Sequence, residues 1–345
     1  MKLDPASTHD PVANPANPAN LANPASEDPP ITNELPVPTP PHSLWGDARR
    51  TFFRNRMGVF GLVVAVLVLL IAITAPWIAP YGYAEQDWNA IRQGPSAAHW
   101  MGTDAVGRDL FSRVLMGIRT AVLMGFVVSL ATVVIGVLAG SLGPLLGGRV
   151  DALVVWIMDG LLNFPAFWLA AFVAVITKPA VATLAQPMYE ATGWAMFENT
   201  LVFDYLVVFL CLSLVWWAPL GRLVRGQVLT LREQEFILAQ RAIGASPWWI
   251  TTRHLAPNVL GQVIVQVSTG IGTLMLAESA LSFLGIGIQP PGASLGNLIY
   301  TGMTSWRAEP HLVLMPGLTL SVIILAFVFI GDALSDALNP RVRDR

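Results

Sequence analysis

Six uncharged, largely apolar runs divide this chain: Val59–Ala75, Thr120–Gly148, Gly160–Thr177, Tyr205–Gly221, Leu255–Ala277 and Leu312–Gly331. Each approaches the roughly 20 residues that an α-helix needs to cross the hydrocarbon core of a bilayer. The pattern predicts an all-α, polytopic membrane protein with six transmembrane helices.

The longest polar interruption is Arg222 to Pro257, which carries Arg222, Arg225, Arg232, Glu233, Glu235, Arg241 and Arg253 between two uncharged runs. Such a segment belongs outside the lipid. Within it Phe236, Ala239, Gln240 and Ile243, then Trp248 to Ile250, read as two short helices broken at Gly244-Ala245-Ser246-Pro247. Gly244 suits a helix C-terminus, Ser246 an N-cap and Pro247 a first helical turn. The predicted helix–turn–helix carries Phe236, Ile237, Ile243, Trp248 and Trp249 on one side, too apolar a face to stay solvated, so a partner groove or the membrane interface must cover it.

The remaining polar segments set the expected topology. Residues 1–43 hold eleven of the 26 prolines and repeat an Asn-Pro-Ala unit; little there could pack, and a disordered tail is expected. Residues 44–84 form a basic flank and the first span, with Arg49, Arg50, Arg54 and Arg56 holding the N-terminal side in the cytoplasm. Six crossings then put the 143–151 turn, the 222–257 island and the end of the chain, 336–345, on the cytoplasmic side. From Arg49 onward those regions hold thirteen basic residues against six on the other side. Residues 85–119 become an extracytoplasmic loop, in which Asp104 or Thr103 caps an amphipathic surface helix with Leu110, Val114, Leu115 and Ile118 on one face and Arg113 and Arg119 elsewhere. Residues 178–200 read as a second outer loop with Trp194 and Phe197 at the interface, and Pro290-Pro291-Gly292 as a turn over the outer mouth. Glu278 stands near the outer end of the fifth run, as an ionisable group at membrane depth or at the interface. Asp332 and Asp336 lie one turn apart at the inner end of the last.

Composition narrows the chemistry. Charged residues make up 12% of the chain against roughly a quarter in soluble proteins. A net charge of −2 with no basic block gives no footprint for nucleic acid. The lone Cys211 lies in an apolar run, which leaves no disulfide framework and no cysteine metal site. The only lysines are Lys2 and Lys178, neither in the Gly-Lys-Ser/Thr setting that a phosphate-binding loop requires. ATP hydrolysis in this chain is therefore not expected, nor is a cofactor or a metal.

The island also resembles the cytoplasmic coupling loop of ABC-transporter permease subunits, in the form found in the dipeptide/oligopeptide/nickel importer family and its C-type permeases. The matching residues are Arg232, Glu233, Glu235, Phe236, Arg241, Ala242, Gly244, Ala245, Ser246, Arg253, His254, Pro257 and Asn258; Leu238, Gln240 and Ala256 depart from the pattern. A second block, Gly102, Thr103, Asp104, Gly107, Arg108, Asp109, Ser112 and Arg113, is similar to the segment before the second span in the same family. A third lies at Asp332 and Asp336, where Ser335 and Asn339 differ. The resemblance covers about Phe53 to Arg341 and makes residues 120–335 the permease core. It implies a second homologous permease, two cytoplasmic ABC ATPases, an extracytoplasmic solute-binding protein, and an inner-membrane location with both termini cytoplasmic. It makes Glu235, Phe236, Ala239, Arg241, Gly244, Ala245, Ser246, Trp249, Arg253, His254 and Pro257 the ATPase-coupling residues. Asp104, Arg108, Asp109, Arg113 and Glu278 become candidates for a receptor-contact or gate region.

Two other classes fit less well. A membrane-embedded enzyme needs a nucleophile–base or metal constellation within the spans, yet His9, His42, His99, His254 and His311 all fall outside the apolar runs. A stand-alone secondary transporter usually shows midplane charges and paired repeats, and neither is visible.

Overall fold

The computed structural model describes residues 44–194 and 200–338. The expected disordered tail, Phe197 and the last residues from Asn339 lie outside them. The described residues form eleven helices: α1 (Leu44–Arg54), α2 (Arg56–Ile78), α3 (Leu110–Leu146), α4 (Gly148–Asn163), α5 (Ala166–Thr192), α6 (Thr200–Leu231), α7 (Glu235–Ala242), α8 (Pro247–Ile250), α9 (Ala256–Phe283), α10 (Leu295–Met303) and α11 (His311–Leu338). No strand occurs among them. Six helical segments are long and apolar enough to cross a membrane, as expected: 56–78, 110–146, 166–184, 201–231, 247–283 and 311–338.

The spans differ from the uncharged runs at their ends. The second begins at Leu110 rather than Thr120, so residues 110–119 are its first turns and not a separate amphipathic surface helix. Its N-cap is Asp109, whose carboxylate accepts from the Ser112 amide, in place of Thr103 or Asp104. The run Gly160–Thr177 is split by Pro165: Phe164 is extended, at φ −98° and ψ 144°, so α4 ends before it and the third span starts after it. That span's helix continues to Thr192 through Pro179 and Pro187, and most of the expected 178–200 loop is helical. At the other side of the island, α8 runs through a π-helical turn, Thr251–Leu255, into α9 without interruption.

The two longest early spans, α3 and α6, meet at glycines. A Cβ on Gly140 would lie 2.5 Å from the Gly221 carbonyl, and one on Gly136 3.2 Å from the Gly221 amide. Small residues four apart allow this backbone approach, and close packing is what holds helices together where lipid removes the hydrophobic drive. One apolar cluster joins α2, α3, α9, α10 and α11 around Val68, Val114, Met275, Leu298 and Ile323. Another joins α3, α5, α6 and α9 around Val128, Ala170, Leu212 and Leu281. Val63, Leu67, Leu70 and Ile73 of α2 face outward, as lipid contact allows.

Candidate functional site

The flanking long helices reach into the predicted island, since Arg222–Leu231 completes α6 and Pro247 opens the helical segment that continues into α9, which leaves residues 232–246 between the two. α7 ends in a Schellman motif: the Gly244 amide donates to the Arg241 carbonyl and the Ala245 amide to the Gln240 carbonyl, both at 3.0 Å. The motif needs a left-handed residue, and Gly244 sits at φ +83° with open space where a side chain would stand. Two residues on, Ser246 caps α8 by accepting the Trp249 amide at 3.2 Å, with Pro247 in the first turn. The helix–turn–helix expected from the residues is present, with its break where Gly244 and Ser246 place it.

Its apolar residues divide into two sets. Ile237 and Ile250 point inward and are buried with Leu220, Val224, Val228, Leu255 and Val259. This corrects the expected single apolar face: Ile237 belongs to the protein core. Phe236, Ile243, Trp248 and Trp249 are 42%, 77%, 57% and 52% exposed. Glu235, Ala239, Arg241, Gly244, Ser246, Arg253 and Pro257 are exposed around them, while Ala245 and His254 are half-buried. Phe236 and His254 have ring centroids 6.3 Å apart, which ties α7 to the π-helical turn. Arg232 reaches back to the Pro144 carbonyl at the end of α3, at 3.4 Å. Next to the island, Asp151 of α4 receives Nε and Nη2 of Arg225 at 3.0 and 2.9 Å, and this pairing holds its carboxyl below the usual range. The unit is thus fastened from beneath and bare on top.

The second predicted group lies at the opposite end of α3 and is enclosed. Asp104 accepts from the Arg108 side chain at 2.7 Å and from the Val106 and Arg108 amides at 3.0 Å. Asp109 faces His99 Nδ1 at 3.0 Å and accepts from the Ser112 amide and hydroxyl, each at 2.7 Å. Arg113, expected on an exposed helix side, is fully buried: it donates to the carbonyls of Tyr83 at 3.0 Å and Gly292 at 3.4 Å. Glu278 is likewise fully buried. The hydroxyls of Ser282 and Ser294 donate to it at 2.8 Å and that of Ser279 at 3.2 Å, joining α9 to the start of α10. Asp104, Arg108, Asp109 and Arg113 form one knot, and Glu278 a separate one. Sequence reasoning missed the ion pair between Lys178 and Asp204, at 2.7 Å, which links α5 to α6; nothing in the spacing of two single residues points to it.

The model of the binding-protein-dependent transport system inner membrane component matches residues 132–344, and that of the N-terminal TM domain of oligopeptide transport permease C matches residues 43–95. The chain belongs to the binding-protein-dependent transport permeases. This permease is 39% identical over 303 residues to the oligopeptide transport system permease protein OppC of Escherichia coli K12, across 87% of its own length and 92% of that protein's. It is 35% identical over 303 residues to the OppC of Haemophilus influenzae, covering 87% and 90%. To the dipeptide transport system permease protein DppC of Alkalihalophilus pseudofirmus it is 34% identical over 301 residues, covering 87% and 91%. With its six apolar spans, the permease is a multi-pass protein of the inner membrane and a component of a binding-protein-dependent ABC import system.

Proposed function

We propose that this chain is one half of the transmembrane pathway of an ATP-driven peptide importer, and that α7, the turn and α8 form the element through which its ATPases act. The peptide class comes from the names of the relatives. The observation that carries the coupling role is the bare apolar surface of Phe236, Ile243, Trp248 and Trp249 on a unit whose other side is anchored in the core. Four large apolar side chains beside Arg241 and Arg253 call for a protein groove with an acidic rim. In this reading the island and both termini face the cytoplasm, two ATPases dock there, a second homologous permease completes the pathway, and a solute-binding protein delivers peptide at the opposite end. Closure of the ATPases pushes on α7 and α8. Because α8 is continuous with α9, the push reaches a membrane helix directly, and the spans rock between inward-open and outward-open states.

The test is co-purification of the ATPases with tagged variants, together with peptide-stimulated ATP hydrolysis in the reconstituted complex. Gly244→Val forces a β-branched residue into the left-handed region, costing about 1–2 kcal/mol locally and re-aiming α8. Trp249→Asp charges the exposed face. Both are expected to lose association or stimulation. Wild-type association and stimulation in both would remove the island from the coupling role.

A further inference from the structure

The fifth span carries a polar stripe that no role above uses. Asn258, Gln262, Gln266, Thr269 and Thr273 recur at intervals of four, four, three and four residues and therefore share one face of α9, over roughly 22 Å of rise. Asn258, Gln262, Gln266 and Thr273 are exposed, on a helix whose other side is packed in the core. Lipid cannot satisfy a carboxamide at that depth, so this face needs water or a polar occupant.

Two cavities lie along it. One, of about 400 Å³, is lined by Asn258, Gln262, Gln266 and Ser335 together with apolar residues such as Leu223 and Val265. The other, of about 190 Å³, is mostly apolar, with Gln266, Thr269, Thr273, Ser129 and Thr132 as its polar lining. Gln266 belongs to the lining of both. The second also holds an unsatisfied group: Thr132 is 7% exposed, and its hydroxyl has no partner. Gln227 of α6 donates to Gln262 at 3.0 Å and adds a further amide to the edge. Among the described residues, no charged side chain lines either cavity.

We propose that this face of α9, centred on Gln262 and Gln266, binds the main chain of the peptide in transit. The proposal rests on the peptide-importer reading. A carboxamide offers donors and an acceptor, the complement of a peptide unit's own acceptor and donor. Neutral amides and hydroxyls set in an otherwise apolar wall would hold any main chain while leaving the charge of the peptide's side chains unread. Selection by charge would then belong elsewhere in the system.

The experiment uses the full complex in liposomes, with labelled trialanine and a trilysine competitor. Gln266→Leu is expected to lower trialanine uptake by about tenfold, the loss of one net hydrogen bond, while Gln266→Asn keeps most of it. Gln266→Glu should turn trilysine into a much stronger competitor. On a Cys211→Ala background, Gln266→Cys should react with a small water-soluble thiol reagent and be protected by trialanine. Wild-type uptake in Gln266→Leu, or a Gln266→Cys thiol unreactive in every nucleotide state, would overturn the proposal and point to dry packing against the second permease. If Gln266→Leu fails to assemble with the ATPases, the labelling decides. Absence of uptake of any peptide by an assembled wild-type complex would instead sink the peptide-importer reading, and this proposal with it.

Discussion

The knot around Asp109 and the island around Gly244 are both polar segments between spans, yet they solve opposite problems. In the knot, His99, Thr103, Asp104, Asp109, Ser112 and Arg113 are all at most 8% exposed, and nearly every charge meets a partner inside the chain. In the island, the charged residues are mostly exposed and four large apolar side chains stand outward. A buried polar network that closes on itself fixes a conformation. A surface that leaves tryptophans uncovered is unfinished and calls for a partner. Polarity in the sequence marked both segments as lying outside the lipid, but only their packing separates the fastening from the docking surface.

The sharpest way to break that comparison is at Arg113. Arg113→Met keeps much of the volume and removes the donors that serve the Tyr83 and Gly292 carbonyls and the charge near Asp104. Stripping one side of such a buried network costs about 3–5 kcal/mol. Thermal unfolding in detergent should show the loss, with Arg119→Met, half-buried on the same helix, close to wild type. If Arg113→Met is as stable as wild type, the knot is not a fastening. A smaller and more local effect is expected from two neighbouring residues of α7. Phe236→Asp should weaken ATPase association without lowering the unfolding midpoint, because its ring is on the exposed face. Ile237→Asp buries a carboxylate among Leu220, Val224 and Val228 and should lower both. Equal behaviour of the two variants would deny that the island has an anchored and a bare side.

Local features were legible from the sequence and distant ones were not. The α7–α8 break depends on four consecutive positions, and Gly244, Ser246 and Pro247 each act within their own turn, so the break could be read from residue type. The six crossings were legible for the same reason, since each rests on its own apolar length. Arg113 was misread because what satisfies it comes from afar: Tyr83 lies 30 residues away and Gly292 179. Judged by charge alone, Arg113 and Arg119 kept the second span from starting before Thr120. The Gly160–Thr177 run failed differently, because an uncharged stretch says nothing of where proline interrupts it, and Pro165 divides α4 from α5. Pro179 and Pro187, by contrast, do not stop α5, which runs through both to Thr192. The polar stripe of α9 was present as spacing, but which way it faced depended on packing.

The smallest expected effect lies beside the island, where α4 is clipped to α6. Asp151 and Arg225 make a bidentate pair with side chains 22% and 27% exposed, whereas Asp159 and Arg222, also an ion pair, are 50% and 56% exposed. Partly shielded and doubly bonded, the first pair should contribute about 0.5–1 kcal/mol; the second should contribute nothing measurable. The pH dependence separates them. The hydrogen bonds from Arg225 hold the folded Asp151 carboxyl below its ordinary value of 3.8, so the unfolded chain takes up the proton first as the pH falls. The stabilisation is therefore complete above that ordinary value and disappears as the pH drops through the lower, folded one. Asp151→Asn should lower the unfolding midpoint at neutral pH, and the gap from wild type should close in acid below the ordinary carboxyl range. Asp159→Asn should show no gap at either pH. A gap for Asp151→Asn that persisted unchanged into that acid range would mean that the residue acts through packing, and that charge does not hold α4 against α6.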